Sequence, residues 1–148
     1  MEEELFLVGV YDHLRRGGEA HDQYLYGSVY KGTYYTEPEY DLYSLQAQFP
    51  GLKTGGSTSI LLEIFEVDAR CLKTADYFEG TDVYNPYNNV FDRIEIETPF
   101  GPCFVYEYSK PIMGKPIIES GDWFKHKQLM REKMSKLNNE EGSRWGIE

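Results

Sequence analysis

One carboxylate of this chain stands in a context that favours proton transfer. Glu79 lies between Phe78 and Gly80, and Asp76 precedes it by three residues. An acid beside an aromatic ring loses part of its hydration, and a second acid one helical turn away disfavours ionisation further if both face one cleft. Such a carboxyl group can take up and release protons near neutral pH. Glu79 is therefore the first candidate for acid–base chemistry, whereas Asp76 fits capping or simple solvation equally well.

The segment before Glu79 has the signals of a short helix. Asp68 is a good N-cap residue, and Gly80 is a typical stop residue. Between them, apolar residues recur at helical spacing over Ala69–Phe78, which predicts a helix with one buried side. This helix should deliver the Glu79 side chain to its site.

Most of the remaining chain has the pattern of short strands. Leu5–Tyr11 is an apolar run that predicts a buried central strand. Tyr40–Tyr43 and Ser59–Val67 are predicted to pair antiparallel around proline- and glycine-containing turns. Further predicted elements are a bent strand over Tyr24–Tyr35, a hairpin of Phe91–Glu97 with Phe104–Tyr108, and a packed helix from Trp123 to about Leu137.

Length and charge restrict the class of protein. A chain of 148 residues, 41% of them hydrophobic, fits one domain, here residues 1–126, followed by a C-terminal helix and polar tail over residues 127–148. The formal net charge of -10 argues against nucleic-acid binding, which needs a basic surface. The acidic N-terminus and the lack of an apolar run of ~18 residues give no sign of a secretory signal or a membrane span. We expect a soluble, cytoplasmic monomer or homodimer.

Other reaction chemistries lack their motifs. Cys71 and Cys103 do not have metal-ligand spacing and are predicted to be buried free thiols. The histidines are dispersed along the chain, and no nucleotide-binding or serine-hydrolase motif occurs. We therefore predict a protein that uses no metal and no cofactor.

Six motifs occur in an order that resembles one protein family. They are Leu14-Arg15-Arg16-Gly17, Tyr40-Asp41-Leu42-Tyr43, Phe49-Pro50-Gly51-Leu52, Leu62-Glu63-Ile64-Phe65-Glu66-Val67-Asp68, Asp76-Tyr77-Phe78-Glu79-Gly80 and Ile118-Glu119-Ser120-Gly121-Asp122-Trp123. Over roughly residues 4 to 124 they resemble the γ-glutamylcyclotransferase-like proteins, which include γ-glutamylamine cyclotransferases and AIG2-like proteins. The resemblance implies an α+β fold, a small, mixed and strongly curved β-barrel with a few flanking helices.

The resemblance also implies a reaction. In this family the α-amine of a γ-glutamyl group attacks its own side-chain amide, which releases pyroglutamate and a free amine. Glu79 matches the family's acid/base glutamate by its Phe-Glu-Gly context. The acidic balance of the chain favours a substrate that carries a cationic amine.

The loop after the first strand departs from the family pattern. Family members have Tyr-Gly-Ser/Thr-Leu there, and its backbone amides hold the α-carboxylate of the substrate. The residues implied to bind substrate at this loop are Tyr11, Asp12, His13 and Leu14. Asp12 repels a substrate carboxylate unless a nearby cation compensates. The candidates for that cation are His13, Arg15 and Arg16.

A tyrosine soon after the glutamate completes the implied site. Tyr84 and Tyr87 are the two candidates, of which we favour Tyr87. The departure at Asp12 and His13 leaves two functions open. One is an enzyme that acts on a γ-glutamyl amide or γ-glutamylamine through Glu79. The other is a non-catalytic protein that binds a small ligand or a partner on the same scaffold.

Overall fold

Seven strands and three α-helices make up the described part of the chain. A computed structural model describes residues 3–45 and 49–144. The strands are β1 (Leu5–Val10), β2 (Val29–Tyr35), β3 (Tyr40–Leu45), β4 (Phe49–Thr54), β5 (Leu61–Asp68), β6 (Phe91–Thr98) and β7 (Gly101–Tyr108). The helices are α1 (His21–Tyr24), α2 (Ala69–Glu79) and α3 (Trp123–Arg144), and a 3₁₀ turn covers Pro86–Asn88.

The strands form one mixed sheet in the order β2-β5-β1-β7-β4-β3, and β6 pairs with β7 beside this path. Strand β1 is central, antiparallel to β5 and parallel to β7, as its apolar sequence predicts. The predicted α+β fold is confirmed. Within the described residues β2 and β3 end the path without pairing with each other, so the expected barrel is an open sheet.

The pairing of β3 differs from the prediction. Strand β3 pairs with β4 rather than with β5, which pairs instead with β1 and β2. The segment around Pro50, expected to be a turn, is strand β4. It pairs with β3 along its whole length and with β7 only at Leu52. A strand tolerates a proline at a position where no backbone N–H is needed for a hydrogen bond to a neighbouring strand. The hairpin of β6 and β7 is confirmed. Of the bent strand expected over Tyr24–Tyr35, only Val29–Tyr35 is strand, as β2, whereas Tyr24 ends α1.

Alternating side chains build a core on each face of the sheet. Val8, Val10 and Phe65 belong to the cluster that packs under α2, whereas Leu62 and Ile64 belong to the cluster on the opposite face. This is the two-residue period of a strand buried on both faces. Cys71 and Cys103 are buried in these two clusters as free thiols, as predicted.

Helix α3 is longer than predicted and less packed. It continues past Leu137 to Arg144, and Met134 and Leu137 are more than half exposed. Only its beginning is firmly anchored, where Trp123 is 2% exposed. Its later turns carry too many charged residues to cover apolar surface. In the described part of the chain, none of the helices is long and apolar enough to cross a membrane.

A buried ion network fixes the loop that follows β1. The Arg15 guanidinium contacts Glu63 on β5 (Nε to Oε2, 3.1 Å) and Asp122 before α3 (Nη1 to Oδ1, 2.9 Å). The backbone N–H of Arg16 donates to the other Glu63 oxygen at 2.8 Å. Glu63 is 4% exposed, so its buried carboxylate needs these partners for stabilisation. Together the contacts join three elements at one end of the sheet.

Removal of Arg15 should therefore destabilise the fold strongly. We expect Arg15→Ala to lower the free energy of unfolding by about 3–5 kcal/mol, because it leaves Glu63 charged and buried. Arg16→Ala is the matched control: its side chain is 50% exposed and its backbone bond to Glu63 remains, so the loss should be about 1 kcal/mol or less. Denaturant unfolding measures both values. Equal losses in the two variants would contradict the role given to Arg15.

Candidate active site

Helix α2 places Glu79 by its two caps. Asp68 accepts the N–H of Cys71 at 2.8 Å at the start of the helix, and Gly80 ends it in the left-handed region (φ 67°). Glu79 is thus the last helical residue, as the sequence predicts, and its side chain is 5% exposed. A side chain at Gly80 would also crowd Val90, since an added Cβ would lie 3.2 Å from it. The turn after Glu79 is therefore tightly fixed.

Glu79 lines a cavity of about 460 Å³. The walls are largely apolar, and Asp12 contributes a second carboxyl group. The remaining lining residues are Leu45, Phe49, Tyr77, Phe78, Gly80, Val90, Phe91, Tyr108 and Lys115. Among the described residues of this lining, Lys115 is the one cation. The cavity thus offers two acids, one ammonium group and apolar walls to a ligand.

The surroundings of Glu79 favour its protonated form. Burial raises the pKa of Glu79 well above 4.5, and the negative charge of Asp12 raises it next. A hydrogen bond between the Asp12 and Glu79 side chains and the charge of Asp76 act in the same direction. Two carboxyl groups so close cannot both be ionised without a large penalty, so the pair retains a proton.

Asp76 acts on Glu79 from outside this cavity. Its Oδ1 accepts the Tyr106 hydroxyl at 2.6 Å, and its Oδ2 is 2.5 Å from Nη1 of Arg93. The side chain is 12% exposed. Asp76 is therefore neither a cap nor a solvated acid, but a buried and paired group whose charge reaches Glu79.

A tyrosine holds the loop after β1 to two strands, β7 and β4. The Tyr11 hydroxyl donates to the carbonyl of Tyr106 at 2.6 Å and accepts the N–H of Leu52 at 3.1 Å. Burial raises the pKa of Tyr11, and the charges of Glu79 and Asp12 raise it further, so its hydroxyl stays protonated. Tyr11 and Leu14 are buried in the core, and Asp12 is the loop residue that reaches the cavity.

The basic residues of this loop have other surroundings than an ion pair with Asp12. His13 is 8% exposed, lies edge-on to Phe49 at 5.1 Å, and has its pKa lowered chiefly by burial, which keeps it neutral. Arg15 and Arg16 are engaged with Glu63. The structure therefore gives no support to the expectation that one of these three compensates Asp12, because other partners or burial engage each of them. His13 also lies outside the cavity lining.

The structure does not bring Tyr87 to the cavity. Tyr84 and Tyr87 are 94% and 89% exposed, on the segment that contains the 3₁₀ turn. Asn89, which is 5% exposed, ties this segment down through Asp82 and Asp92, so the two tyrosines point outward from a fixed base. Tyr108, at the end of β7, is the tyrosine close to Glu79 that the sequence analysis missed.

Lys115 was also missed, because its position depends on a distant strand. The segment after it pairs with β3: Ser44 N–H donates to Pro116 at 2.9 Å, and Ile118 N–H donates to Leu42 at 2.7 Å. No local sequence pattern predicts this pairing. Leu45 and Phe49, which end β3 and begin β4, reach the cavity only because those strands pair.

Metal ligands are not gathered at this site. In residues 3–45 and 49–144, no group of three or more His, Cys, Asp and Glu side chains could hold a metal ion. The chemistry open to the cavity is proton transfer by Asp12 and Glu79 and ion pairing by Lys115.

The raised pKa of Glu79 predicts a pH-dependent stability. Between 4.5 and the raised value, the folded protein binds a proton that the unfolded chain lacks, so wild-type stability falls as the pH rises through that range. Glu79→Gln removes this term, and its amide can still donate to Asp12. We expect the variant to unfold at a higher temperature than wild type at about pH 8, with a difference that shrinks below pH 4.5.

Thermal unfolding followed by circular dichroism across this pH range is the measurement. Glu95→Gln, at an exposed position of β6, is the control and should show no such trend. Parallel curves for wild type and Glu79→Gln at every pH would contradict a raised pKa of Glu79.

Comparisons with known proteins identify relatives of this chain by sequence and by fold. A Vibrio cholerae protein named as a candidate gamma-glutamylcyclotransferase is 39% identical over 117 residues, which cover 79% of this chain and 94% of that protein. The crystal structure of an uncharacterized Pyrococcus horikoshii protein superposes with a TM-score of 0.67 at 27% identity, covering 86% of this chain and 97% of its own. An AIG2-like protein of Mus musculus has the same fold, with a TM-score of 0.64 at 24% identity over 80% of this chain and 89% of its own.

One family covers most of the sequence. The family described as "Gamma-glutamyl cyclotransferase, AIG2-like" matches residues 8–125, which include the second half of β1, the Asp12 loop, α2 and Lys115. This range contains both carboxyl groups of the cavity. The chain therefore belongs to the AIG2-like gamma-glutamyl cyclotransferase family.

Proposed function

We propose that this protein is a cyclotransferase that releases pyroglutamate and a free amine from a γ-glutamyl amide or γ-glutamylamine. The family supports cyclotransferase chemistry in general. The observation that carries the specific proposal is a buried, protonatable carboxyl group, Glu79, that lines a cavity of about 460 Å³. Such a group can give protons to a ligand in the cavity and take them back.

The reaction mainly requires that the protein hold the γ-glutamyl chain in a folded-back shape and transfer protons. Folding the γ-glutamyl chain back on itself brings its α-nitrogen to its own γ-carbonyl carbon, which can be worth an effective molarity of about 10⁵–10⁸ M. The apolar walls contributed by Leu45, Phe49 and Phe91 enforce this curled shape. Glu79 then serves as the acid/base group that protonates the departing nitrogen.

The departing amine determines the protonation state that Glu79 must have. An amide nitrogen leaves as a free amine only when it is protonated, so the acid must hold its proton at neutral pH. Burial and the neighbouring carboxyl groups give Glu79 this property. An exposed glutamate would be ionised at neutral pH, so it would first have to take a proton from the α-ammonium of the substrate.

Lys115 is the group that we assign to the α-carboxylate of the substrate. The Leu14 N–H, which the family resemblance implies as a carboxylate donor, already donates to Asp12 Oδ1 at 3.0 Å. Lys115 lies on the cavity lining and carries the opposite charge to a carboxylate. The substrate would then lie with its carboxylate at Lys115 and its nitrogen groups at the two acids.

The bound Leu14 amide also favours a second function. Because the Asp12 side chain takes up a donor of this loop, the scaffold could bind a ligand without turning it over. This binding protein would hold a γ-glutamyl compound or another small cation in the same cavity. Turnover separates the two functions.

Turnover should depend on Glu79. Wild-type protein, incubated with γ-glutamyl conjugates of a diamine, an aromatic amine and a neutral alkylamine, is expected to release pyroglutamate, which mass spectrometry detects. Glu79→Gln should lower kcat by at least about 100-fold, because general acid–base catalysis contributes about 10²–10⁴-fold. Glu95→Gln should retain wild-type kcat.

Binding of the intact conjugates without any release would support the binding protein. Unchanged kcat in Glu79→Gln would remove this residue from the mechanism. The diamine conjugate should be preferred if the net charge of the chain guides substrate choice, and equal rates would reject that preference.

Lys115→Met should weaken substrate binding more than it slows the reaction. Loss of an ion pair at a partly exposed site is worth ~1 kcal/mol, so KM should rise about fivefold with kcat nearly unchanged. The same substrate with its α-carboxylate converted to an amide is the control, and the variant should treat it like wild type does. An equal rise in KM for both substrates would place the α-carboxylate elsewhere.

A further inference from the structure

Two carboxyl groups meet in the cavity from different elements of the fold. Asp12 is 3% exposed on the loop after β1, and Glu79 is 5% exposed at the end of α2. Burial, the charge of Asp12 and a hydrogen bond with the Asp12 side chain raise the pKa of Glu79, so Glu79 keeps its proton. Both line the same cavity, so a ligand can contact either oxygen pair.

The two acids differ in what else they contact. Asp12 Oδ1 accepts the N–H of Leu14 at 3.0 Å, and an N–H donor stabilises an ionised carboxylate. Among the hydrogen bonds of the described residues, Glu79 receives none from an N–H group. The proton therefore resides on Glu79, whereas the Leu14 N–H stabilises a carboxylate at Asp12.

Because Glu79 already carries a proton, it cannot accept a second one. The α-nitrogen of a γ-glutamyl group is an ammonium at neutral pH and must lose a proton before it can attack. A protonated Glu79 cannot accept that proton, whereas an ionised Asp12 can. A negative charge at Asp12 also suits an ammonium, since the cations of its own loop are engaged elsewhere: Arg15 and Arg16 pair with Glu63, and burial lowers the pKa of His13.

We propose that Asp12 is a second catalytic residue of the cyclotransferase: it accepts the proton of the substrate's α-ammonium, while Glu79 protonates the departing nitrogen. The inference rests on the proposed function. It divides between two side chains the proton transfers that one carboxyl group would otherwise perform in sequence.

The proton transfers balance over one turnover. The α-ammonium gives one proton to Asp12, and the resulting amine attacks the γ-carbonyl carbon to form the ring C–N bond. Glu79 gives its proton to the departing nitrogen as the old C–N bond breaks, and it takes back the second proton of the ring nitrogen. The released amine then removes the proton from Asp12 and leaves as an ammonium. The pair ends with one proton, as it began.

Other groups around the pair are not placed to replace Asp12. They are Asp76, Tyr106, Tyr11, Tyr108 and Lys115. Asp76 is bound to Tyr106 and Arg93, and the pKa values of Tyr11 and Tyr106 are raised by burial, so both hydroxyls stay protonated. Lys115 carries a positive charge and would repel the ammonium.

Asp12→Asn tests the assignment with little structural change, because Asn keeps an Oδ1 that can accept the Leu14 N–H. We expect kcat to fall by at least about 100-fold. Asp76→Asn is the matched control: it also removes a negative charge near Glu79, but from a side chain outside the cavity lining. It should lower kcat by less than about tenfold. Thermal unfolding identifies any variant that is not folded.

A second measurement checks the pairing without turnover. Carbon-13 NMR of the glutamate carboxyl groups should give a raised pKa for Glu79 in wild type and a lower one in Asp12→Asn, because that variant loses the charge of Asp12. An unchanged pKa of Glu79 would overturn the pair.

The kinetic outcomes separate the two proposals. Wild-type turnover with kcat retained in Asp12→Asn overturns the role of Asp12 and leaves the proposed function standing. Equal losses in Asp12→Asn and Asp76→Asn also overturn it, since Asp12 would then act only through its charge. No pyroglutamate from wild type rejects the proposed function and the role of Asp12 together.

Discussion

The proposed chemistry depends on a contact between two acids that would repel each other in water. Asp12 and Glu79 meet because the loop after β1 and the end of α2 are each fixed from outside the cavity. The loop is held by the hydroxyl of Tyr11 and the ion network of Arg15. Neither element can withdraw to separate the charges, so the pair keeps a proton instead.

This arrangement links stability to chemistry. A carboxyl group that resists ionisation weakens the folded state at neutral pH, and the rest of the fold must offset that loss. The two core clusters on either face of the sheet provide the offset through apolar burial. The same burial removes water from the cavity walls and raises the strength of every charge interaction inside.

Local signals were sufficient for the part of the site that lies on one element. The cap residue Asp68 and the stop residue Gly80 define α2, so the position of Glu79 could be predicted from the sequence. The family motifs extended this to the α+β fold. Strand β4 was missed because a proline and a glycine resemble a turn, and only its pairing with β3 makes them a strand.

Features that depend on distant partners could not be predicted in this way. The sequence displays Asp12 next to His13 and two arginines, yet the partners of those arginines lie on β5 and before α3. Lys115 reaches the cavity through pairing with β3, and Tyr87 is carried outward by contacts of Asn89. In each case the sequence does not show which groups remain available to a ligand once the chain has packed.

A crystal structure of Glu79→Gln with an uncleaved γ-glutamyl amide tests the central claim most directly. The account predicts that the γ-glutamyl group lies curled in the cavity, with its α-nitrogen within hydrogen-bonding distance of Asp12 and its amide nitrogen beside Gln at position 79. A ligand bound elsewhere on the protein, or bound here with both nitrogens turned away from these two side chains, would contradict it.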